Sequence, residues 1–107
     1  MEKKGLIMIE NVKIIDLPLK KEWFDMIANG EKHEEYREIK PHWLKRLSIY
    51  DNNCNILSLN PNHYSHVRFR YGYTKRTMLF KIKCISIGRG NPKWGAPVDK
   101  DVFIIKF

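Results

Sequence analysis

The sequence predicts an α+β fold: a small mixed barrel of five or six strands with two short helices packed at its ends or side. Three observations lead there. Two segments carry apolar residues at helical spacing, each beside a proline. The strand-like segments fall mostly in the second half. The last residues, 102–107, are apolar on both faces apart from Lys106, as expected of a strand covered on both sides. At 107 residues the chain is read as a single domain over 1–107, with 1–5 as a flexible tail.

Residues 7–17 are rich in Ile and Val and alternate in part, with Val12 and Ile14 against Lys13, which reads as a strand. Pro18 ends it and suits the first turn of a helix. Residues 19–29 supply that helix. Trp23, Phe24, Ile27 and Ala28 make its apolar face, and Lys20, Lys21, Glu22 and Asp25 cover the other. Asn29-Gly30 is its stop signal. Residues 32–38 read as a short charged strand, with His33, Glu35 and Arg37 on one face and Glu34, Tyr36 and Glu38 on the other. Pro41 opens a second helix through residue 47, with Trp43, Leu44 and Leu47 inward. Ile49 and Tyr50 start a strand, Asp51-Asn52-Asn53 is a turn, residues 56–59 are a short strand, and Asn60-Pro61-Asn62 is another turn.

Residues 65–71 alternate, Val67, Phe69 and Tyr71 against Arg68 and Arg70. A turn over 72–75 leads to the longest strand, 76–87, which forms a hairpin with the segment before it. There Met78, Phe80, Ile82 and Cys84 share a face opposite Lys81 and Lys83. The pattern then flips to Ile85 and Ile87, which indicates a bulge or sharp bend. Residues 88–97 form a Gly/Pro-rich loop that holds Lys93 and Trp94.

No apolar run approaches the roughly 18–20 residues that span a bilayer. The charged start is followed by a short mixed stretch broken by Glu10 and Lys13, unlike a signal peptide, so no membrane contact and a cytoplasmic location are expected. Cys54 and Cys84 stand far apart, in no CxxC pattern, and read as reduced, partly buried thiols. His63 and His66 with Cys54 lack a fourth ligand at sensible spacing, so no metal is expected. Gly88-Arg89-Gly90 lacks the Lys-Ser/Thr ending of a phosphate loop, and no cofactor is expected.

The net charge is +8, and its distribution is more telling than its size. Residues 52–98 hold no Asp or Glu but eight Lys and Arg, whereas the rest of the chain has 12 of each sign. A field of that kind attracts polyanions, nucleic acid first. The alternative is a solvated basic surface that aids solubility. Arg68, Arg70, Lys81 and Lys83 alternate with apolar residues, and in register they would make a basic face. Tyr71, Tyr73 and Trp94 lie near turns, where aromatic rings can stack unpaired bases. The candidate nucleic-acid contacts are therefore Arg68, Arg70, Tyr73, Lys81 and Lys83. Trp23, Trp43 and Phe80 fit apolar faces and read as core.

At Gly30 the chain runs Gly30-Glu31-Lys32-His33-Glu34-Glu35-Tyr36-Arg37. This resembles the GxKxxExR signature of the ASCH family, with Gly30, Lys32, Glu35 and Arg37 at its fixed positions. The context is similar too. Leu17-Pro18-Leu19-Lys20 and a helix come before, and Gly72-Tyr73, Gly88-Arg89-Gly90 and Trp94-Gly95-Ala96-Pro97 come after, as in small bacterial and phage ASCH proteins. The resemblance covers residues 14–107. It implies a PUA-like barrel whose cleft, lined by the signature, holds RNA or a modified nucleoside. One branch of the family removes the acetyl group of acetylated cytidine with a Lys, a Thr nucleophile and a Glu, and others are reported to cleave RNA. This chain departs from the deacetylating branch. Glu35 stands three residues after Lys32, where that branch has its threonine, and the counterpart of its later Glu is Ile82 or Lys83. Covalent acyl transfer thus lacks its nucleophile.

The candidate ligand residues are Lys20, Lys32, Glu35, Arg37 and Trp94. Lys32 can hold a phosphate or carbonyl oxygen, or act as a base if desolvated, or simply be a surface lysine. Glu35 can accept from a base edge, and Arg37 offers a fork to phosphate or a plane to stack on a base. As a structural pair, the two would stabilise the sheet by up to about 1 kcal/mol. Lys20 either rims the cleft or belongs to a solvated helix face. The leading expectation is an RNA- or nucleotide-binding module. The alternatives are a small hydrolase, in which Lys32 and Glu35 would activate water, and a protein-interaction domain.

Overall fold

The computed structural model describes residues 12–107. The tail expected over 1–5 and the first part of the strand expected over 7–17 lie outside them. In chain order the elements are β1 (Ile14–Leu19), α1 (Lys21–Ala28), β2 (Glu34–Arg37), α2 (Pro41–Leu47), β3 (Ser48–Tyr50), β4 (Ile56–Leu59), β5 (His66–Tyr71), β6 (Thr77–Lys81), β7 (Cys84–Gly88), a single 3₁₀ turn (Pro92–Trp94) and β8 (Val102–Lys106). The α+β class and the two helices stand. The described residues form eight strands rather than five or six.

Strands assemble into two three-stranded sheets, ordered β1-β5-β6 and β2-β8-β7, with β3 and β4 pairing separately. β1 runs parallel to β5, and all other pairs are antiparallel. The inner faces of both large sheets supply one core: Ile15, Leu17, Val67 and Phe69 from the first, Ile85, Phe103 and Ile105 from the second. Phe24 and Ile27 of α1 and Leu44 and Leu47 of α2 close it. Each such fully buried side chain contributes about 1.5–3 kcal/mol relative to exposure. β8 is apolar on both faces because both are covered. Phe103 and Ile105 join the main core, while Val102 and Ile104 join Tyr36 and Ala96 in a second cluster, against which Trp94 packs.

Three sequence expectations are corrected. Pro18 does not start the helix. It sits inside β1, which continues to Leu19, and α1 begins at Lys21. Among the described strands β1 lies at an edge, where a missing N–H costs no ladder bond. Second, residues 76–87 are not one bent strand. The chain leaves the first sheet after Lys81 and joins the second at Cys84. At the crossing, Ile82 N–H donates to the Ser65 carbonyl (2.9 Å) and Lys83 N–H to the Lys106 carbonyl (2.7 Å). Third, both cysteines are free and exposed rather than partly buried: Cys54 lies in the turn between β3 and β4, and Cys84 is the exposed first residue of the new strand. As for the expected barrel, the described strands form no closed hydrogen-bonded ring. The two sheets are joined through the β6–β7 crossing, but no ladder links edge strand β1 to edge strand β2.

Candidate functional site

The opening between β1 and β2 brings the signature residues together. Glu35 pairs with Ile105 and Arg37 with Phe103 across the β2–β8 ladder, so both side chains take the inner face. Tyr36, opposite Ile104, takes the outer one. A cleft of about 280 Å³ lies here. Pro18, Leu19 and Lys20 form one wall and Glu35, Tyr36 and Arg37 another. Trp23 of α1 and Trp94-Gly95 of the loop after β7 complete it.

Lys32 is sealed behind that lining, its side chain 0% exposed. Its ammonium lies 3.0 Å from Glu35 Oε1 and donates to the Trp94 carbonyl at 2.6 Å. The rings of Tyr36 and Trp23 flank it at 4.8 and 5.4 Å. Burial pulls this ammonium below its ordinary value, and the nearby Glu35 carboxylate offsets that only in part. The other oxygen of Glu35 accepts from Arg37 Nη1. Arg37 also donates to the Tyr36 carbonyl (2.7 Å) and to the Pro18 carbonyl across the gap (3.4 Å), and its guanidinium stacks 5.2 Å from the Trp43 ring. One buried carboxylate thus stands between two cations, leaving the cluster with a net positive charge.

The loop that supplies Trp94 is held by Tyr36. The phenol accepts from Asn91 N–H at 2.9 Å and donates to Glu34 Oε1 at 2.8 Å. Burial, with the Glu34 carboxylate, raises this phenol far above its ordinary value, although the Asn91 N–H works the other way. Gly90 lies so close that a Cβ there would stand 2.6 Å from both the Tyr36 ring and the Ala96 Cβ. At Gly95, φ is +102° and a Cβ would meet the Trp23 ring at 3.0 Å. The sequence Gly90 to Gly95 is therefore shaped to lay backbone directly on aromatic rings.

Of the expected ligand residues, Lys20, Glu35, Arg37 and Trp94 line a single cleft, and Lys32 reaches it only through Glu35 and the Trp94 backbone. The expected nucleic-acid residues are dispersed. By register, Arg68, Arg70 and Lys81 share the outer face of the first sheet with Leu79 and Asp16. Asp16 pairs with Arg70 at 3.0 Å and with Arg68 at 3.3 Å. Burial pushes its carboxyl up, but the two arginines outweigh this and hold it below the ordinary value. Lys83 lies in the crossing between sheets and is not part of that face. Tyr73 sits at the β5–β6 hairpin tip, 95% exposed, whereas Tyr71 turns inward against Phe24, ring centroids 5.4 Å apart.

Trp23 and Tyr36 were not among the residues expected at the site. Trp23 packs on the core and lines the cleft as well. Its position in the first turn after Leu19-Lys20 was the available signal. Tyr36 carried none beyond lying between Glu35 and Arg37. Among the described residues no three His, Cys, Asp or Glu side chains gather as a metal site. No helix among them is long and apolar enough to cross a membrane. No family model matches the chain, nor does any curated protein or solved structure.

Chemically, the cleft combines aromatic residues with exposed Lys20 and a mostly buried Arg37, a pairing suited to a flat ring carrying an anion. Among its lining residues the only hydroxyl is that of Tyr36. That phenol is engaged on both sides and holds its proton tightly, so it is a poor nucleophile.

Proposed function

We propose that the chain is a cytoplasmic module of the ASCH kind that holds RNA or a nucleotide in the cleft between β1 and β2. In this reading the two sheets are a PUA-like barrel opened at that seam. The observation that carries it is the composition of the cleft: Trp23, Tyr36 and Trp94 beside Arg37 and Lys20, around a cluster of net positive charge. Trp23 and Trp94, both partly exposed, offer aromatic surface to a base, while Lys20 and the small exposed part of Arg37 supply positive charge for a phosphate. The acid-free stretch over 52–98 supplies a long-range field of the right sign.

The test is binding of ribonucleoside monophosphates and short single-stranded RNA at two salt concentrations. Lys20→Ala, at an exposed position, and Arg37→Lys are each expected to weaken binding about tenfold and to flatten its salt dependence. Binding that ignores both substitutions overturns the assignment.

A hydrolase acting on a modified nucleoside is the second reading, favoured by the depressed ammonium of Lys32 beside Glu35. It would have to activate water directly, because the lining offers no Ser, Thr or Cys. Turnover of acetylated cytidine that is lost in Glu35→Gln would establish it. An inactive wild-type protein would remove it.

A further inference from the structure

The cleft does not end at Lys20. A second groove of about 230 Å³ shares Pro18, Leu19 and Lys20 with it and runs on to Gly72 and Tyr73. Its geometry is set by the hairpin tip. Gly72, at φ +57°, donates its N–H to the Leu19 carbonyl at 2.9 Å, which docks the tip on the end of β1. Thr74 Oγ1 donates to the Tyr71 carbonyl at 2.6 Å and fixes the turn. Tyr73 is thereby held beside Lys20 with 95% of its surface in solvent. A ring so exposed gains nothing for the core, since the fold's inward tyrosine here is Tyr71. Lys75 and Arg76 follow it on the same tip, both exposed.

We propose that the cleft and this groove are consecutive subsites for a single-stranded oligonucleotide, with Lys20 holding the phosphodiester between them and Tyr73 stacking the adjoining base. The inference rests on the cleft being a nucleotide site and narrows its ligand from a lone nucleotide to a strand. Continuity supports the choice of occupant: both subsites are built on the same three residues, and the residue at their junction is a cation. The groove beyond it is lined by Leu19, Pro18 and an aromatic ring, which suits a base and does not suit a second phosphate.

The experiment compares the affinities of ribonucleoside monophosphates with those of dinucleotides and tetranucleotides of the same bases, for the wild type, Tyr73→Ala and Tyr73→Phe. The wild type is expected to gain about tenfold in affinity from mononucleotide to dinucleotide. That ratio should collapse in Tyr73→Ala and persist in Tyr73→Phe, which keeps the stacking face. Equal affinity for mono- and dinucleotide in the wild type, or a gain that survives Tyr73→Ala, overturns the second subsite and leaves the cleft assignment intact. Failure of the wild type to bind any of the nucleotides overturns both.

Discussion

Glu35 faces two cations at once, Lys32 sealed behind the cleft and Arg37 at its wall, and removing either side of this cluster has different consequences. Lys32→Met leaves a matched Glu35–Arg37 pair and puts an apolar chain between the rings of Trp23 and Tyr36. Its stability is expected within about 1 kcal/mol of the wild type. Glu35→Gln leaves a buried ammonium without its counter-charge and is expected to lose about 3–5 kcal/mol. Urea unfolding of both variants checks the order, and a more damaging Lys32→Met would refute it. Tyr36 gives a second residue-level outcome. Its folded phenol is raised above the ordinary value of 10.0. It therefore adds stability that is fully present below pH 10 and is lost as pH rises further. Lys32, lowered from 10.5, works in the opposite sense below that value, so the comparison must isolate the tyrosine. Unfolding measured from pH 9 to 11 should show a steeper decline in the wild type than in Tyr36→Phe. The shared face of Glu35 and Arg37 was legible in the sequence because a strand repeats every two residues. The sealing of Lys32 was not, because its cover is a carbonyl 62 residues away.

Among the elements, α2 was legible to its ends. Pro41 marks the first turn, and Trp43, Leu44 and Leu47 keep one face. β6 and β7 read as one strand because alternation continues through Ile82 and Lys83, and its flip at Ile85, which the sequence reads as a bulge or bend, is in fact the mark of a change of sheet. Periodicity reports which side is buried and is silent about which partner buries it. Pro18 misled for a related reason, since its lost N–H stops a central strand but not an edge, and edges are a tertiary property. The loop over 88–97 was legible as a loop, but its contact with Tyr36 was not. That contact yields a prediction. Gly90→Ala forces a methyl against Tyr36 and Ala96, is expected to cost about 1–3 kcal/mol, and should lower the melting temperature accordingly. An unchanged melting temperature would mean that the loop yields freely there.

For the whole molecule, the α+β class and the concentration of charge were legible, whereas sheet membership and charge pairing were not. Asp16 lies 52 residues before Arg68 in sequence and beside it in the parallel register, so a count over 52–98 overstates the free positive charge. Asp16→Asn should release both arginines, raise affinity for single-stranded RNA, and steepen the logarithmic salt dependence by about 0.7 for each phosphate newly engaged. An unaltered slope would exclude the outer face of the β1–β5–β6 sheet from the interface. The Pro18 carbonyl that accepts from Arg37 points away from β5, and in a strand the nitrogen of the same residue points that way too. At Pro18 the edge of β1 therefore offers no donor and has its acceptor already taken. At Pro18 a neighbouring copy of the chain finds neither a donor nor a free acceptor with which to extend the sheet, so the point where the ligand seam opens is guarded against the self-association that exposed strands invite in a crowded solution.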